Sequence, residues 1–393
     1  DLIMSFLMYN DISAMSRLHR SASAQMSRPA ISIQKSGGWT FGSPSVLMMF
    51  YRASGELQSE LTEMDECMPH YYKITNGHGQ GAETIMRAEA DFMRACFADA
   101  QIMLERAYAQ IDGNGQENMA LCCDFLAWRL SLCTSFTPRE SFEQRREALL
   151  QQHNVAWLNI LQSSCAYYYA LLGLPEKIPA VFREHQLASI HFLAPGKPMM
   201  ELIENQVYLA QGEYAKVIGH SEALLGMCEA MHYALVALHI RLQTAAAYEM
   251  LGKCETADEL LISALAAAGP DALYLPFVEN YRYLKTALTR GAGAKFAAFV
   301  RTVTPLGEDF VRRCGEKRAE GSRPAALAGL TERESAIAAL VAKRLSNREI
   351  AEQLFLSEGS VKQYINQIYS KLLITGDVRT KRKRLAELAA PKS

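Results

Sequence analysis

Thr331-Glu332-Arg333-Glu334, Ser346-Asn347-Arg348-Glu349 and Ser357 set three helix starts within one short C-terminal stretch. Each of the first two is a capping box. The Ser or Thr hydroxyl and the Glu carboxylate three residues on can each satisfy a backbone N–H that the first helical turn leaves unpaired. The first box opens a helix with Ile337, Leu340 and Val341 inward, and the second a helix with Ile350, Ala351 and Leu354 inward. After Ser357, apolar Val361, Ile365, Ile368 and Leu372 recur at i, i+4, i+7 and i+11, which is one helical stripe. Two short helices joined at Phe355-Leu356, the second with a single apolar face, make a helix-turn-helix. Val378, Leu385 and Leu388 predict a fourth helix, and they lie on one of its sides.

The opposite face of the third helix carries Ser360, Lys362, Gln363, Tyr364, Asn366, Gln367 and Lys371, nearly without acid. Amides there can pair bidentately with adenine edges, and Lys can meet guanine or phosphate. Double-stranded DNA is the expected partner. The contact set adds Ser346, Asn347 and Arg348 at the start of the second helix, Ser357 and Val361 at the start of the third, and Arg379, Lys381 and Arg382 in the basic run 379–384. Charge supports this division. Residues 324–393 hold twelve Lys/Arg against seven Asp/Glu, while residues 1–323 hold 29 against 35, although the whole chain is near neutral at −1. A weakly acidic body with a basic tail points to a polyanion for the tail alone.

Leu330-Thr-Glu-Arg-Glu334, Leu345-Ser-Asn-Arg-Glu-Ile-Ala351, Leu354-Phe-Leu-Ser357 and Val361-Lys362 with Ile368-Tyr369-Ser370-Lys371-Leu372 resemble the LuxR-type helix-turn-helix over about 60 residues. Two positions depart from that pattern: Arg344 stands where the family usually has Gly, and Tyr364 where it often has His. With the repeats described next, the chain resembles the C-terminal part of the large, MalT-like, ATP-dependent LuxR regulators. That resemblance implies an inducer or regulatory protein bound by the repeat domain and a dimer on DNA through the fourth helix. RNA polymerase is a further expected partner. It also implies that ATP would act only through an upstream module that this sequence lacks, so no cofactor is expected in this chain.

The body reads as a helical array. Small-residue breaks recur at Gly173-Leu174-Pro175-Glu176, Gly212-Glu213-Tyr214-Ala215, Gly252-Lys253-Cys254-Glu255 and Gly291-Ala292-Gly293, at intervals of 39, 40 and 39 residues. Stepping back by 39 lands on Thr134-Ser135-Phe136 and then on Ala95-Cys96-Phe97-Ala98. Apolar positions at i, i+3 and i+4 flank each break, as in Leu235, Leu238, Leu242 and Ala245 before Gly252 and Ala257, Leu260, Leu261 and Ala264 after it. The fold class is therefore all-α: a superhelix of repeats like tetratricopeptide repeats, with a period of about 40, then a small four-helix DNA-binding domain. The boundaries read as 1–311 for the sensor, 312–324 for a charged linker and 325–393 for the reader. A superhelix of this kind offers a concave groove to a ligand.

Residues 31–81 interrupt the pattern with the Gly-dense runs 37–45 and 76–81 and are read as irregular. The Gly-x-Gly-x-Gly at 77–81 lacks the strand–helix alternation and the downstream acid that a dinucleotide site needs. Trp39, Phe41, Tyr51, Tyr71, Tyr72 and His78 gather around these runs, and aromatic rings with polar tips suit a small-molecule site.

Composition excludes several classes. Thirteen Val and a combined Gly and Pro count of 37 in 393 residues disfavour sheet proteins. Nine Cys without a Cys-x-x-Cys pair are not a disulfide framework and fit a reducing, cytoplasmic setting. No uncharged stretch is apolar enough to span a membrane. The nine His show no metal-ligand spacing, and no Gly-x-Ser-x-Gly elbow occurs, so neither a metal site nor an enzyme is expected. Asp1 is not an initiator Met, and the chain reads as the end of something longer. The leading function is a bacterial transcriptional regulator with a signal-sensing repeat domain. The alternatives are a repeat scaffold for protein partners or a sigma-type factor, either with an accessory DNA-binding tail.

Overall fold

The computed structural model describes residues 12–29, 44–113, 115–151, 155–190, 194–291, 294–321 and 329–389. These form 20 α-helices with no strand among the described residues. Contacts divide the chain into two units, residues 1–314 and 315–393.

The first unit begins with α1 (Ile12–Gln25), α2 (Val46–Phe50) and α3 (Leu57–Ile74). Much of the stretch read as irregular is thus helical. Leu57, Leu61, Met64, Met68, Tyr71 and Ile74 make a buried helical stripe along α3 that the Gly-dense flanks and the internal Pro69 obscure in the sequence. Then come α4 (Ala82–Met93), α5 (Phe97–Ile111), α6 (Glu117–Cys133), α7 (Phe142–Gln151), α8 (Val155–Leu172) and the single turn α9 (Ala180–Arg183). The series ends with α10 (Lys197–Gln211), α11 (Tyr214–Ala230), α12 (Ala234–Met250), α13 (Cys254–Ala268), α14 (Leu275–Glu279), α15 (Tyr281–Gly291) and α16 (Ala297–Gly321). α16 runs unbroken through 312–321, most of the segment read as a linker.

The breaks fall where the 39-residue spacing puts them. α10 and α12 end against Gly212 and Gly252, both left-handed at φ +78° and +74°, and Ala95 takes the same conformation at φ +60° between α4 and α5. Two kinds of helix alternate. α6 is buried almost throughout from Asn118 to Cys133, and α12 from Leu235 to Ala247, whereas α5, α11 and α13 bury only a stripe. A helix apolar on every side belongs inside, and one with a stripe belongs outside.

The array does not stay open. In a solenoid each repeat touches only its neighbours, but here the N-terminal helices meet the last repeats. The Ala234 N–H donates to the Tyr51 carbonyl (3.1 Å) and the Tyr274 N–H to the Met93 carbonyl (2.8 Å). Tyr51 Oη donates to Asp271 at 2.7 Å. At the centre, Arg129 grips Glu279 at 2.8 and 3.1 Å, Tyr167 Oη donates to the same carboxylate at 2.8 Å, and both charged side chains are 1% exposed. The guanidinium also lies 5.0 Å from the Phe92 ring and 5.1 Å from the Phe125 ring. Gln206 continues the ladder, donating to Asn280 Oδ1 and accepting from Gln243. The expected concave groove is therefore occupied by inner helices and a polar axis. Clefts remain beside α11–α13 and beside α10 and α11.

The second unit holds α17 (Glu332–Ala342), α18 (Asn347–Leu354), α19 (Glu358–Lys371) and α20 (Val378–Ala389) around its own core, centred on Ile337, Val341, Ile350, Val361, Ile368 and Leu385. Among the described residues no helix is long and apolar enough to cross a membrane.

Candidate nucleic-acid interface

Local chemistry fixes each helix start. Thr331 Oγ1 accepts from the Glu334 N–H (3.3 Å) while Glu334 accepts from the Thr331 N–H (2.7 Å), and Ser346 and Glu349 repeat the exchange at 3.3 and 2.6 Å. Ser357 Oγ accepts from the Ser360 N–H at 3.1 Å, which opens α19. Two turns need left-handed residues. Arg344 (φ +63°) closes α17, with the Leu345 N–H donating to the Leu340 carbonyl, and Phe355 (φ +53°) turns α18 into α19. Arg344 thus adopts the conformation for which the family position uses Gly.

α19 buries Val361, Ile365, Ile368 and Tyr369 and leaves Lys362, Gln363, Asn366, Gln367 and Ser370 exposed. The four expected base-reading side chains 362, 363, 366 and 367 therefore share one open face, with Ser360 and Tyr364 half-buried at its edge. Val361 is a correction. It is 0% exposed, because its stripe position packs on the unit's core, so its side chain cannot reach DNA.

Other expected contacts are shared with structure. Lys371 Nζ donates to Glu334 Oε2 at 2.7 Å. Burial works to raise the Glu334 carboxyl, but hydrogen bonds from Lys371 and Thr331 outweigh it and hold the group below the usual carboxylate range. Arg382 donates to Asn347 Oδ1 (2.8 Å) and to the Leu345 carbonyl (2.6 Å), bracing α20 against the start of α18. Arg348 pairs with Glu352 along the exposed face of α18, and Lys381 sits 5.8 Å over the Tyr369 ring. Arg379 is exposed. The expected contact set leaves out Lys343 and Arg344, two exposed cations leading into the α18 start, although their adjacency before a capping box is visible in the sequence.

The apolar positions assigned to a dimer contact separate. Leu385 is 0% exposed and belongs to the core, while Val378 is 80% exposed and Leu373 86%. Leu385 is thus corrected from a surface contact to a core residue; the amphipathic pattern of α20 serves packing against α17.

The aromatic set proposed for a ligand divides. Trp39 and Phe41 lie outside the described residues. Tyr71, Tyr72 and His78 come together: Tyr71 Oη and His78 Nδ1 are 2.9 Å apart, and Tyr72 Oη donates to Glu83 and accepts from the Gly81 N–H. Gln116 pins the same turn, accepting from the Gly79 N–H and donating to the Gly77 carbonyl. Tyr51 sits elsewhere, on Asp271, at the edge of a cleft of about 830 Å³ between the 51–54 segment and α11–α13. Their polar tips serve protein partners.

Residues 328–382 match the family model described as bacterial regulatory proteins, luxR family. The C-terminal domain is a luxR-family helix-turn-helix. The chain is 41% identical over 121 residues to transcriptional regulatory protein LnrK of Bacillus subtilis, an alignment covering 30% of this chain and 53% of that protein. It is 34% identical over 117 residues to the DNA-binding transcriptional activator DevR/DosR of Mycobacterium tuberculosis, covering 30% of this chain and 50% of that one. The chain thus spans about half the length of these relatives. No solved structure matches it significantly.

Proposed function

We propose that the chain is a bacterial transcriptional regulator. Its luxR-family domain reads duplex DNA, and its helical body, residues 1–311, senses a small molecule or regulatory protein. The carrying observation is the open face of α19, where Lys362, Gln363, Asn366 and Gln367 stand together inside the matched segment with Glu358 as the helix's one acid. The names of the matched relatives support the regulatory reading. The protein acts by binding rather than by catalysis, as a dimer on paired half-sites, and through contact with RNA polymerase. Exposed Leu373 and Val378 replace Leu385 as the apolar surface available to the dimer.

The test is selection of bound duplexes from a random pool by the full chain, with affinity followed against salt. Phosphate contacts make log K fall linearly with log salt. Lys362→Ala should flatten that slope by about one phosphate contact without changing the selected motif. Gln363→Ala should change the preferred base at one position, at a cost of ~1–3 kcal/mol. Binding that neither responds to salt nor selects a motif overturns the assignment.

A further inference from the structure

A second cleft, of about 690 Å³, lies between α10, α11 and the 185–190 segment that follows α9. Its wall holds an unmet demand for hydrogen-bond donors. Glu204 is 5% exposed and its carboxylate accepts no hydrogen bond among the described residues. Facing it at 3.6 Å is His185 Nδ1, fully buried and without a hydrogen-bond partner. That separation is too long for the two groups to satisfy each other.

The neighbouring amide sets the imidazole tautomer. Gln211 Nε2 donates to the Arg183 carbonyl at 3.0 Å, which turns Gln211 Oε1 toward His185 Nε2 at 2.9 Å. Oε1 can only accept, so Nε2 carries the proton and Nδ1 presents a lone pair. Burial lowers the His185 pKa, which keeps the ring neutral. Two acceptors therefore point at one another, and Glu201 adds a second carboxylate to the same wall. Burial and the Glu201 charge push the Glu204 carboxyl up to about 7 against the pull of Lys216, so it is above that pH, with the carboxyl ionised, that two acceptors face one another.

The protein's own cations do not fill the gap. Lys216 pairs with Glu213 at 3.3 Å and its charge pulls the Glu204 carboxyl down only in part, and neither it nor Lys197 in the cleft lining forms an ion pair with Glu204. Among the described residues no three His, Cys, Asp or Glu side chains are grouped to hold a metal ion. The missing partner must bring several N–H donors and positive charge, which is what an ammonium offers and a hydroxyl or carboxylate does not. Met200, Leu224 and Met227 supply an apolar floor, and Tyr208, stacked on His185 at 4.0 Å, holds the imidazole in place.

We propose that this cleft is a receptor site for a primary amine with an apolar body, its ammonium seated between Glu204 and His185 Nδ1. This names the signal class for the sensor and so rests on the regulatory reading above.

The experiment uses the full chain with 2-phenylethylamine as probe and 2-phenylethanol and phenylacetate as shape-matched controls, read by calorimetry and thermal melting near pH 8. The amine is expected to bind and raise the melting temperature, and the two controls to do neither. Glu204→Gln keeps the shape and removes the buried charge, so it should melt no lower than wild type yet bind the amine at least ~30-fold more weakly. Amine and control binding equally, no heat with the amine, or unchanged affinity in Glu204→Gln each overturn the site. DNA selection by the same preparation separates the two questions: amine binding without DNA binding refutes the regulator and leaves the site standing.

Discussion

Burial of single ionisable groups sets the most direct predictions. Glu89 is 1% exposed, accepts from the Leu47 N–H at 2.7 Å, and leaves Oε1 without a partner. Burial pushes its carboxyl from 4.5 to about 7 against the pull of its hydrogen bonds and Arg129. The folded state therefore holds a proton that the unfolded chain releases, so this stability is fully present below about pH 4.5 and is lost as pH rises through about 7. Glu89→Gln should stabilise the body by up to ~3 kcal/mol at pH 8 and change little at pH 4.5, measured by denaturant unfolding at the two values. An equal effect at both values would contradict the buried proton. Arg344 gives a second test, since a left-handed non-Gly residue costs ~1–2 kcal/mol. Arg344→Gly should raise the melting temperature of the C-terminal unit while weakening DNA binding if its exposed cation meets phosphate. Little of this was legible. The departure at Arg344 stood out in the sequence, but the Glu89 environment is made by α2 and α6, and no local pattern announces it.

Helices were far more legible than their surroundings. Capping boxes and the 39-residue breaks placed helix starts and stops because both depend on residues within one turn of each other. Which face a helix buries, and against what, depends on partners elsewhere. The apolar side of α20 pointed to a dimer surface, yet Leu385 packs inward on α17. Leu385→Asp is accordingly expected to unfold the second unit and abolish half-site and palindrome binding together, with loss of helical signal. Retained half-site binding would restore the surface role. Close approach gives a second prediction at this scale. A Cβ on Gly307 would lie 2.2 Å from Tyr281 Cγ, and Tyr281 is 3% exposed, so the ring has little room to retreat. Gly307→Ala should cost ~1–3 kcal/mol by pushing α16 away from α15, a loss that Gly315→Ala, with nothing near its Cβ, should not show.

Closure of the helical array was the feature furthest from the sequence reading, because its contacts join residues 150 to 220 positions apart. A trace did exist. Glu89, Arg129, Tyr167 and Gln206 recur at 40, 38 and 39 residues, which puts a polar group in the same register on four successive inner helices. Polar groups in that register have no water to meet and need partners from elsewhere in the chain, as Arg129 and Tyr167 find in Glu279 and Gln206 in Asn280, and a straight stack would leave Arg129 and Glu279 far apart. The pair therefore acts as an axle. Arg129→Met would leave the Glu279 carboxylate buried with only the Tyr167 hydroxyl for company, a loss of ~3–5 kcal/mol. Adding Glu279→Gln removes the stranded charge and should recover most of it. Hydrogen exchange distinguishes this from a local defect. In an open solenoid, damage in α6 frays only its neighbours; with the axle broken, protection should fall together in α4, α6 and α14. Loss confined to α5–α8 would mean that the ends of the array touch without supporting each other.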